Sequence, residues 1–184
     1  MRTFFSKIVH TPNNVISKKD INAADAELIS VGKDLKKKVS KLFNGSLAIR
    51  QVAAGSDNSV EQELVALGNA FYDIERFGIR FVASPRHADM LLVAGPVARN
   101  MAAALKTAYD ATPDPKIVVA VGDGAINGGI WKGNYAVMDG VDSVIPVDYH
   151  IPGDPPEPIV IIKSLLQIMK DIEQKANKSS KGNK

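Results

Sequence analysis

The sequence predicts a small α/β domain of the doubly wound, flavodoxin-like kind, built on a mostly parallel sheet. First, short apolar runs alternate with helix-length segments from Ser46 onward, as in chains built from βα units. Second, the run KIVVAVG at 116–122 is almost wholly apolar, which is typical of a strand buried on both faces of a parallel sheet. With 184 residues, 45% of them hydrophobic, the chain is long enough for one full core.

Ahead of the sheet, the spacing predicts an amphipathic helix with Asp20 as its N-cap and an end near Phe43, before Asn44-Gly45. Its apolar stripe repeats every seven residues, at Ile21, Leu28, Leu35 and Leu42. The opposite face is basic, with lysines at 36, 37, 38 and 41. Such a helix either packs on its own domain or lies on a partner or a membrane interface, and the sequence leaves both open.

The later elements follow from apolar periodicity and from turn residues. We expect strand 46–52, helix 60–74, strand 79–85, strand 87–95, a helix from Pro96 through Tyr109, strand 116–122, strand 143–151 and helix 159–174. The chain then divides into an N-terminal arm and helix (1–45), an α/β domain (46–174) and a disordered basic tail (175–184).

Charge is distributed unevenly along the chain. The net charge of +3 combines +5 in residues 1–45, −6 in residues 46–157 and +4 in residues 158–184. Basic ends around an acidic middle favour an acidic partner, either a lipid surface or a protein, and the acidic middle argues against nucleic acid. Cysteine is absent, which excludes disulfides and thiolate metal sites. No apolar run spans a bilayer and no secretory signal is evident, so we expect a cytosolic location.

The working surface of a doubly wound sheet is the crevice beyond the carboxyl ends of its strands. Three loops are expected to converge there: Gly55–Ser59, Gly122–Gly129 and Gly153–Pro156. Arginine suits tight interfaces. Arg50, at a strand end, and Arg86, in a proline-bounded loop, therefore either face the crevice or form salt bridges within the domain, and the sequence leaves both open.

The turn GDGAING at 122–128 is a loosened version of a dinucleotide fingerprint, whose backbone amides would face a phosphate. The acidic residue that should follow about twenty positions later on a clear strand is missing. No loop shows the carboxylate spacing of a dedicated metal site, and the three histidines form no triad, so no metal or catalytic residue is predicted.

Three long stretches resemble a known family: SLAIRQVAAGSDNSVEQELVALGNAFYDIERFGIRFVASPRHADMLLVAGPV, PDPKIVVAVGDGAINGGIWKGNYAV and VDSVIPVDYHIPGDPPEP. They are similar to the small iron–sulfur subunit of respiratory complex I and of membrane-bound energy-converting [NiFe] hydrogenases, closer to the hydrogenase-4 and formate hydrogenlyase branch. SPRHAD, the GD-GG turn and IPG-PP are specific as a set. The resemblance covers about Ser46 to Pro158.

The family places four cluster cysteines at the positions that are Asp57, Val60, Gly124 and Asp154 here. A [4Fe–4S] cluster is held by four thiolates, so the resemblance implies a chain without the cluster, and no cofactor is expected. We expect the two aspartates to face water or to pair with Arg50 or Arg86, because buried unpaired carboxylates are costly. Glu61 matches a family acid implicated in proton movement, although a helix-start carboxylate explains it equally well. Arg86 and His87 match the family's SPR-x-AD loop beside the cluster, so the resemblance implies that they face the crevice or a partner.

The resemblance implies a cluster-free structural or coupling subunit of an ion-translocating membrane complex. The chain would be peripheral, at the cytoplasmic face of the inner (plasma) membrane. Its expected partners are a large hydrogenase-like subunit, together with antiporter-like and quinone-site-type membrane subunits. Two alternatives remain at this stage. The cluster ligands were removed by engineering from an electron-transfer subunit, or the emptied crevice binds a nucleotide or another anion.

Overall fold

A computed structural model describes residues 18–55 and 57–182, with side chains described between residues 25 and 178. The arm predicted for the first seventeen residues lies outside the described residues. The helices are α1 (Lys18–Leu42), α2 (Ser59–Ala66), α3 (Ala102–Ala111), α4 (Asp123–Asn127) and α5 (Pro158–Gly182). The strands are β1 (Leu47–Ala53), β2 (Ile79–Phe81), β3 (Met90–Ala94), β4 (Ile117–Val121) and β5 (Tyr149–Ile151). Single 3₁₀ turns lie at Ile74–Phe77, Pro85–His87, Gly129–Trp131 and Val141–Ser143.

The five strands form one parallel sheet in the order β2-β1-β3-β4-β5, which confirms the predicted fold class. Every residue of the central strand β3 is buried, because both faces of the sheet are covered. One face packs against α1, α2 and α5, and the other against α3, α4 and the Val141–Ser143 turn. All strands therefore end at one edge, where their loops meet.

Helix α1 packs on the sheet layer through its apolar stripe, where Leu28, Leu35 and Val39 are buried. Gly32, in the middle of the helix, lies directly against the ring of Phe77. A Cβ at position 32 would stand 2.1 Å from the Cζ atom of that ring. The glycine that lowers helix propensity is therefore needed for close packing. The apolar face of this helix therefore packs on its own domain, which is the first of the two predicted alternatives.

Helices α1 and α5 lie side by side and parallel, joined by ion pairs at corresponding heights. Lys163 Nζ stands 2.5 Å from Glu27 Oε1 near one end. Near the other end, Glu173 accepts hydrogen bonds from Lys38 and Lys41. These two ammonium groups lower the pKa of Glu173 from 4.5 to about 2, chiefly through the hydrogen bond from Lys38.

Three predicted helix boundaries are wrong. Helix α1 begins at Lys18, so Asp20 lies within its first turn rather than at its N-cap. Helix α2 ends at Ala66 rather than at residue 74, because Gly68 and Asn69 form a turn and the Asn69 side chain accepts hydrogen bonds from the next backbone amides. The helix expected from Pro96 begins at Ala102. The preceding amides donate to distant carbonyls instead, including 2.7 Å from the N–H of Ala98 to the oxygen of Ala54.

The predictions for the end of the chain also need correction. The last strand covers only Tyr149–Ile151, because a 3₁₀ turn and Pro146 precede it and prevent earlier pairing. The final helix continues to Gly182 rather than ending at Gln174, so the segment predicted as a disordered tail is helical to that residue. Lys175, Ala176 and Lys178 are good helix formers, and they continue the helix without an apolar stripe. Among the described helices, none is long and apolar enough to span a bilayer.

Candidate functional site

The predicted loops meet at the carboxyl edge of the sheet, around what is left of a small space. It is lined by Asp57, Ser59, Val60, Gly95, Pro96, Gly124, Gly129, Ile130, Trp131 and Asp154. All four positions that match family cysteines are among them. The remaining cavity measures about 10 Å³, which is about the room that one water molecule needs. The three loops converge as predicted, and their atoms fill most of the space between them.

Asp57 lies at the surface and makes a local turn with Ser59. Its Oδ1 accepts hydrogen bonds from the Ser59 hydroxyl at 2.6 Å and from the Ser59 backbone N–H at 3.0 Å. These bonds stabilise the charged form and lower the pKa of Asp57. Asp154 is also exposed. Of the two predicted outcomes for these aspartates, exposure to water is the one observed, and neither forms an ion pair with an arginine within the described residues.

Val60 fills the inner side of the site from the first turn of α2. It is 3% exposed and belongs to the same core cluster as Leu64 and Val121. Its Cγ2 atom presses on the backbone of Gly122, where an added Cβ would come within 2.7 Å. The family has an iron-ligating cysteine at this position, whereas here the valine side chain packs into the core.

Gly124 has no room for a side chain. A Cβ at this position would stand 2.7 Å from the carbonyl oxygen of Gly95 and 3.1 Å from Pro96 Cδ. The contact is tight from both sides, because a Cβ on Gly95 would meet the Cα of Ala125 at 2.9 Å. Gly124 is therefore required by the close approach of two backbone segments, the β3 end and the start of α4.

Asp123 joins two of the loops, a role that the sequence did not reveal. Its backbone N–H donates to the Gly153 oxygen at 2.8 Å, and its Oδ1 accepts from the Gly153 N–H at 3.0 Å. The next amides, of Ala125 and Ile126, donate to the oxygen of Gly122 at 3.1 Å. Since these amides already have partners within the turn, they do not form the open cradle that a phosphate needs.

The residues at this site do not fit a [4Fe–4S] cluster. Such a cluster needs four thiolates, with an occasional substituted ligand, and the whole chain contains no cysteine. Val60 and Gly124 offer no ligand atom, and the residual cavity is far too small for four irons and four sulfides. Within residues 25–178 apart from position 56, no group of three or more histidine, aspartate or glutamate side chains is arranged to hold a metal ion.

The other predicted site residues are more scattered. Glu61 is buried beside Val60 in the first turn of α2, at 8% exposure. Arg50 lies within β1 rather than at its end, because the strand continues to Ala53. Arg86 and His87 are exposed on the 3₁₀ turn that follows β2. These last three residues do not line the small cavity, and their partner-facing role stays a prediction.

An exposed aromatic patch beside the site was missed by sequence reasoning. Ile130 is 78% exposed, Trp131 45% and Tyr135 88%, and we call these three residues the aromatic patch. The segment lacks a helix or strand period, so only its unusual density of large apolar residues in a glycine-rich stretch could have signalled it. A groove of about 390 Å³ lies next to it, lined in part by Asp57, Trp131 and Tyr135.

The backbone under the aromatic patch is firmly held. Arg99 Nε donates to the Tyr135 oxygen at 2.6 Å, and the Arg99 amide donates to the Ala136 oxygen at 2.9 Å. The Gly133 N–H donates to Asp139 Oδ1 at 2.7 Å. The patch is therefore exposed on an ordered backbone, as a preorganised contact surface would be.

The family described as the NADH ubiquinone oxidoreductase 20 kDa subunit matches residues 58–168. An NADH-quinone oxidoreductase subunit of Bacteroides thetaiotaomicron is 47% identical over 112 residues, which cover 60% of this chain and 57% of that one. An uncharacterized protein of Methanocaldococcus jannaschii is 49% identical over 123 residues, covering 67% and 82%. The match thus spans little more than half the length of the first relative.

Solved structures also resemble the chain. A chain from the membrane-bound sulfane sulfur reductase, an archaeal respiratory membrane complex, superimposes with a TM-score of 0.63 at 36% identity, covering 70% of this chain and 71% of that one. A chain of an NAD⁺-reducing [NiFe]-hydrogenase gives a TM-score of 0.54 at 18% identity, covering 68% and 92%. The second likeness concerns the fold alone.

Proposed function

The chain belongs to the family of the NADH ubiquinone oxidoreductase 20 kDa subunit, and from that premise we propose that it is a cluster-free structural or coupling subunit of a membrane-associated, ion-translocating complex. The complex would resemble an energy-converting hydrogenase or complex I. The chain would hold the complex together at the position where its relatives pass electrons, without carrying electrons itself.

One observation carries the cluster-free part of the proposal. At the position of one family cysteine, the backbone of Gly124 lies so close to Gly95 that even a methyl group would not fit. The packing also argues against the alternative of engineered ligand replacement. Exchanging a cysteine for glycine leaves a vacancy, whereas here the neighbouring segments have closed and Val60 fills the core side.

The second part of the proposal concerns the docking surface. The aromatic patch and the adjoining groove lie at the rim of the closed site, where the loops of the sheet converge. Tryptophan and tyrosine dominate binding energy at protein interfaces, and an ordered backbone lowers the entropy lost on binding. We assign this surface to a large hydrogenase-like subunit. Arg86 and His87, exposed on the turn after β2, are proposed as a separate partner contact.

The remaining partners would be membrane subunits of the antiporter-like and quinone-site types, with the chain at the cytoplasmic face of the membrane. The relative in an archaeal respiratory membrane complex supports the peripheral placement. Glu61 is the residue we propose for any proton movement through this chain, because it is a buried acid next to the closed site.

Affinity purification tests the docking proposal. A tagged full-length chain, isolated from detergent-solubilised membranes of its own organism, should bring down a large hydrogenase-like subunit and membrane subunits. Replacing Trp131 by alanine should weaken that association by about 2 kcal/mol, or roughly 30-fold in Kd, since it removes a central aromatic contact. Tyr135→Ala should act in the same direction.

A matched control separates docking from general surface hydrophobicity. Val65 is 65% exposed on the outer side of α2, away from the aromatic patch, so Val65→Ser should leave co-purification unchanged. Recovery of the wild-type chain as a lone soluble protein would contradict the proposal. Equal losses in the Val65 and Trp131 variants would remove the patch from it.

A further inference from the structure

We propose that the outward face of α1 is a binding surface for anionic lipid headgroups. The face is fixed in place, because the opposite side of the helix is locked against the domain by buried leucines and by the Gly32–Phe77 contact. Turning at about 100° per residue, the helix brings its outward residues onto one stripe. The basic residues among them are Lys33, Lys36, Lys37 and Lys41, and one acidic residue, Asp34, lies among them.

The charge on this stripe is largely uncompensated. Within the described residues, Lys33 and Lys36 have no carboxylate at ion-pair distance. Lys37 stands 3.6 Å from Asp34, and both side chains are mostly in water, so that pair neutralises little. Lys41 forms an ion pair with Glu173, but 64% of its side chain stays exposed. By contrast, Lys38 on α1 and Lys163 on α5 form ion pairs across the contact between the two helices.

The shape and chemistry of the stripe favour a flat anionic surface. From Lys33 to Lys41 it extends about 12 Å, at 1.5 Å per residue, along one convex helix. It contains no arginine fork and no aromatic ring, the groups that read a shaped partner or a nucleic acid base. Lysine is a compact charge on a flexible stem, which suits headgroup phosphates without fixed geometry. The exposed Ile29 adds an apolar contact at one end.

The adjacent helix also carries exposed lysines. Helix α5 packs beside α1 on the same face of the sheet and carries Lys170 and Lys178, both exposed. Each basic residue near an anionic membrane surface raises binding about fivefold, so three or four of them act together. The inference does not depend on the missing cluster or on the docking surface, and its test uses lipid alone.

Vesicle sedimentation with the full chain tests this proposal. Vesicles of equal parts phosphatidylglycerol and phosphatidylcholine should bind the protein at low salt and release it at high salt, and phosphatidylcholine alone should not bind it. The triple variant Lys33→Gln, Lys36→Gln, Lys37→Gln should bind about 100-fold more weakly. The triple arginine variant at the same positions keeps the charge and should bind like the wild type.

A control variant with the same change in net charge isolates the helix face. Lys106→Gln, Lys132→Gln and Arg80→Gln remove three exposed charges elsewhere, and this variant should keep at least most of the vesicle binding. Equal loss in both triple variants, or no vesicle binding by the wild type, would overturn the proposal. The proposal would also be overturned if an acidic protein subunit protected the three α1 lysines from acetylation in the purified complex and vesicles did not.

Discussion

Adding one methyl group at Gly124 tests the closed site most simply. The new Cβ would lie 2.7 Å from the carbonyl oxygen and 3.0 Å from the carbonyl carbon of Gly95, so backbone must move to admit it. Overpacking of this kind costs about 1–3 kcal/mol. Alanine also restricts the unfolded chain more than glycine does, which raises the unfolding free energy by about 0.4–1 kcal/mol. The packing effect is the larger one, and Gly124→Ala should lose about 1–2 kcal/mol of unfolding free energy.

Gly68 provides the matched control for this experiment. A Cβ there meets only the Val65 oxygen, at an ordinary 3.5 Å, so Gly68→Ala should be neutral or slightly stabilising. For a chain of this size, the loss predicted at Gly124 lowers the melting temperature by about 2–8 °C. Thermal unfolding and denaturant titration of both variants measure the difference. If Gly124→Ala is as stable as Gly68→Ala, the closed-packing argument is refuted.

Three further predictions concern groups that hold the fold and the loops. Glu173, with its pKa lowered to about 2, should lend stability that is fully present above pH 4.5 and lost as the pH falls toward 2, and Glu173→Gln should flatten that pH dependence in acid titrations. Gly32→Ala should destabilise by about 1–3 kcal/mol, measured by denaturant unfolding, because its Cβ would strike the Phe77 ring. Asp123→Ala should lower the unfolding free energy by about 1–3 kcal/mol and speed hydrogen exchange at Gly153, whose amide loses its acceptor. Unchanged exchange at Gly153 would argue against the role of Asp123 in joining the two loops.

Much of the fold could be predicted from the sequence, because the sheet is built from short continuous apolar runs, which are typical of buried parallel strands. The strand at 116–122 and the helix with its seven-residue stripe both occur as expected. The errors fall where long-range hydrogen bonds override local preference. The segment after Pro96 looks like a helix start, yet its amides bond to carbonyls on other loops, including Ala54. No local pattern encodes those partners.

The candidate site could be located but not described from the sequence. The resemblance identified which positions to examine, and the topology of the sheet predicted that their loops converge. The contact between Gly124 and Gly95 could not be foreseen, because it joins residues 29 positions apart and depends on distances of a few tenths of an ångström. Likewise, the sequence shows a glycine-rich turn, but only the structure shows that the amides of Asp123, Ala125 and Ile126 already have partners.

Iron and acid-labile sulfide analysis tests the central claim most directly. The intact complex should be isolated without exposure to oxygen, and the chain separated from its partners without denaturation before metal and sulfide are measured alongside its visible spectrum. We predict no stoichiometric iron or sulfide in this chain and no broad visible absorption band, because none of its residues supplies a thiolate. Four irons and four sulfides bound to the chain, with the corresponding band, would contradict the account.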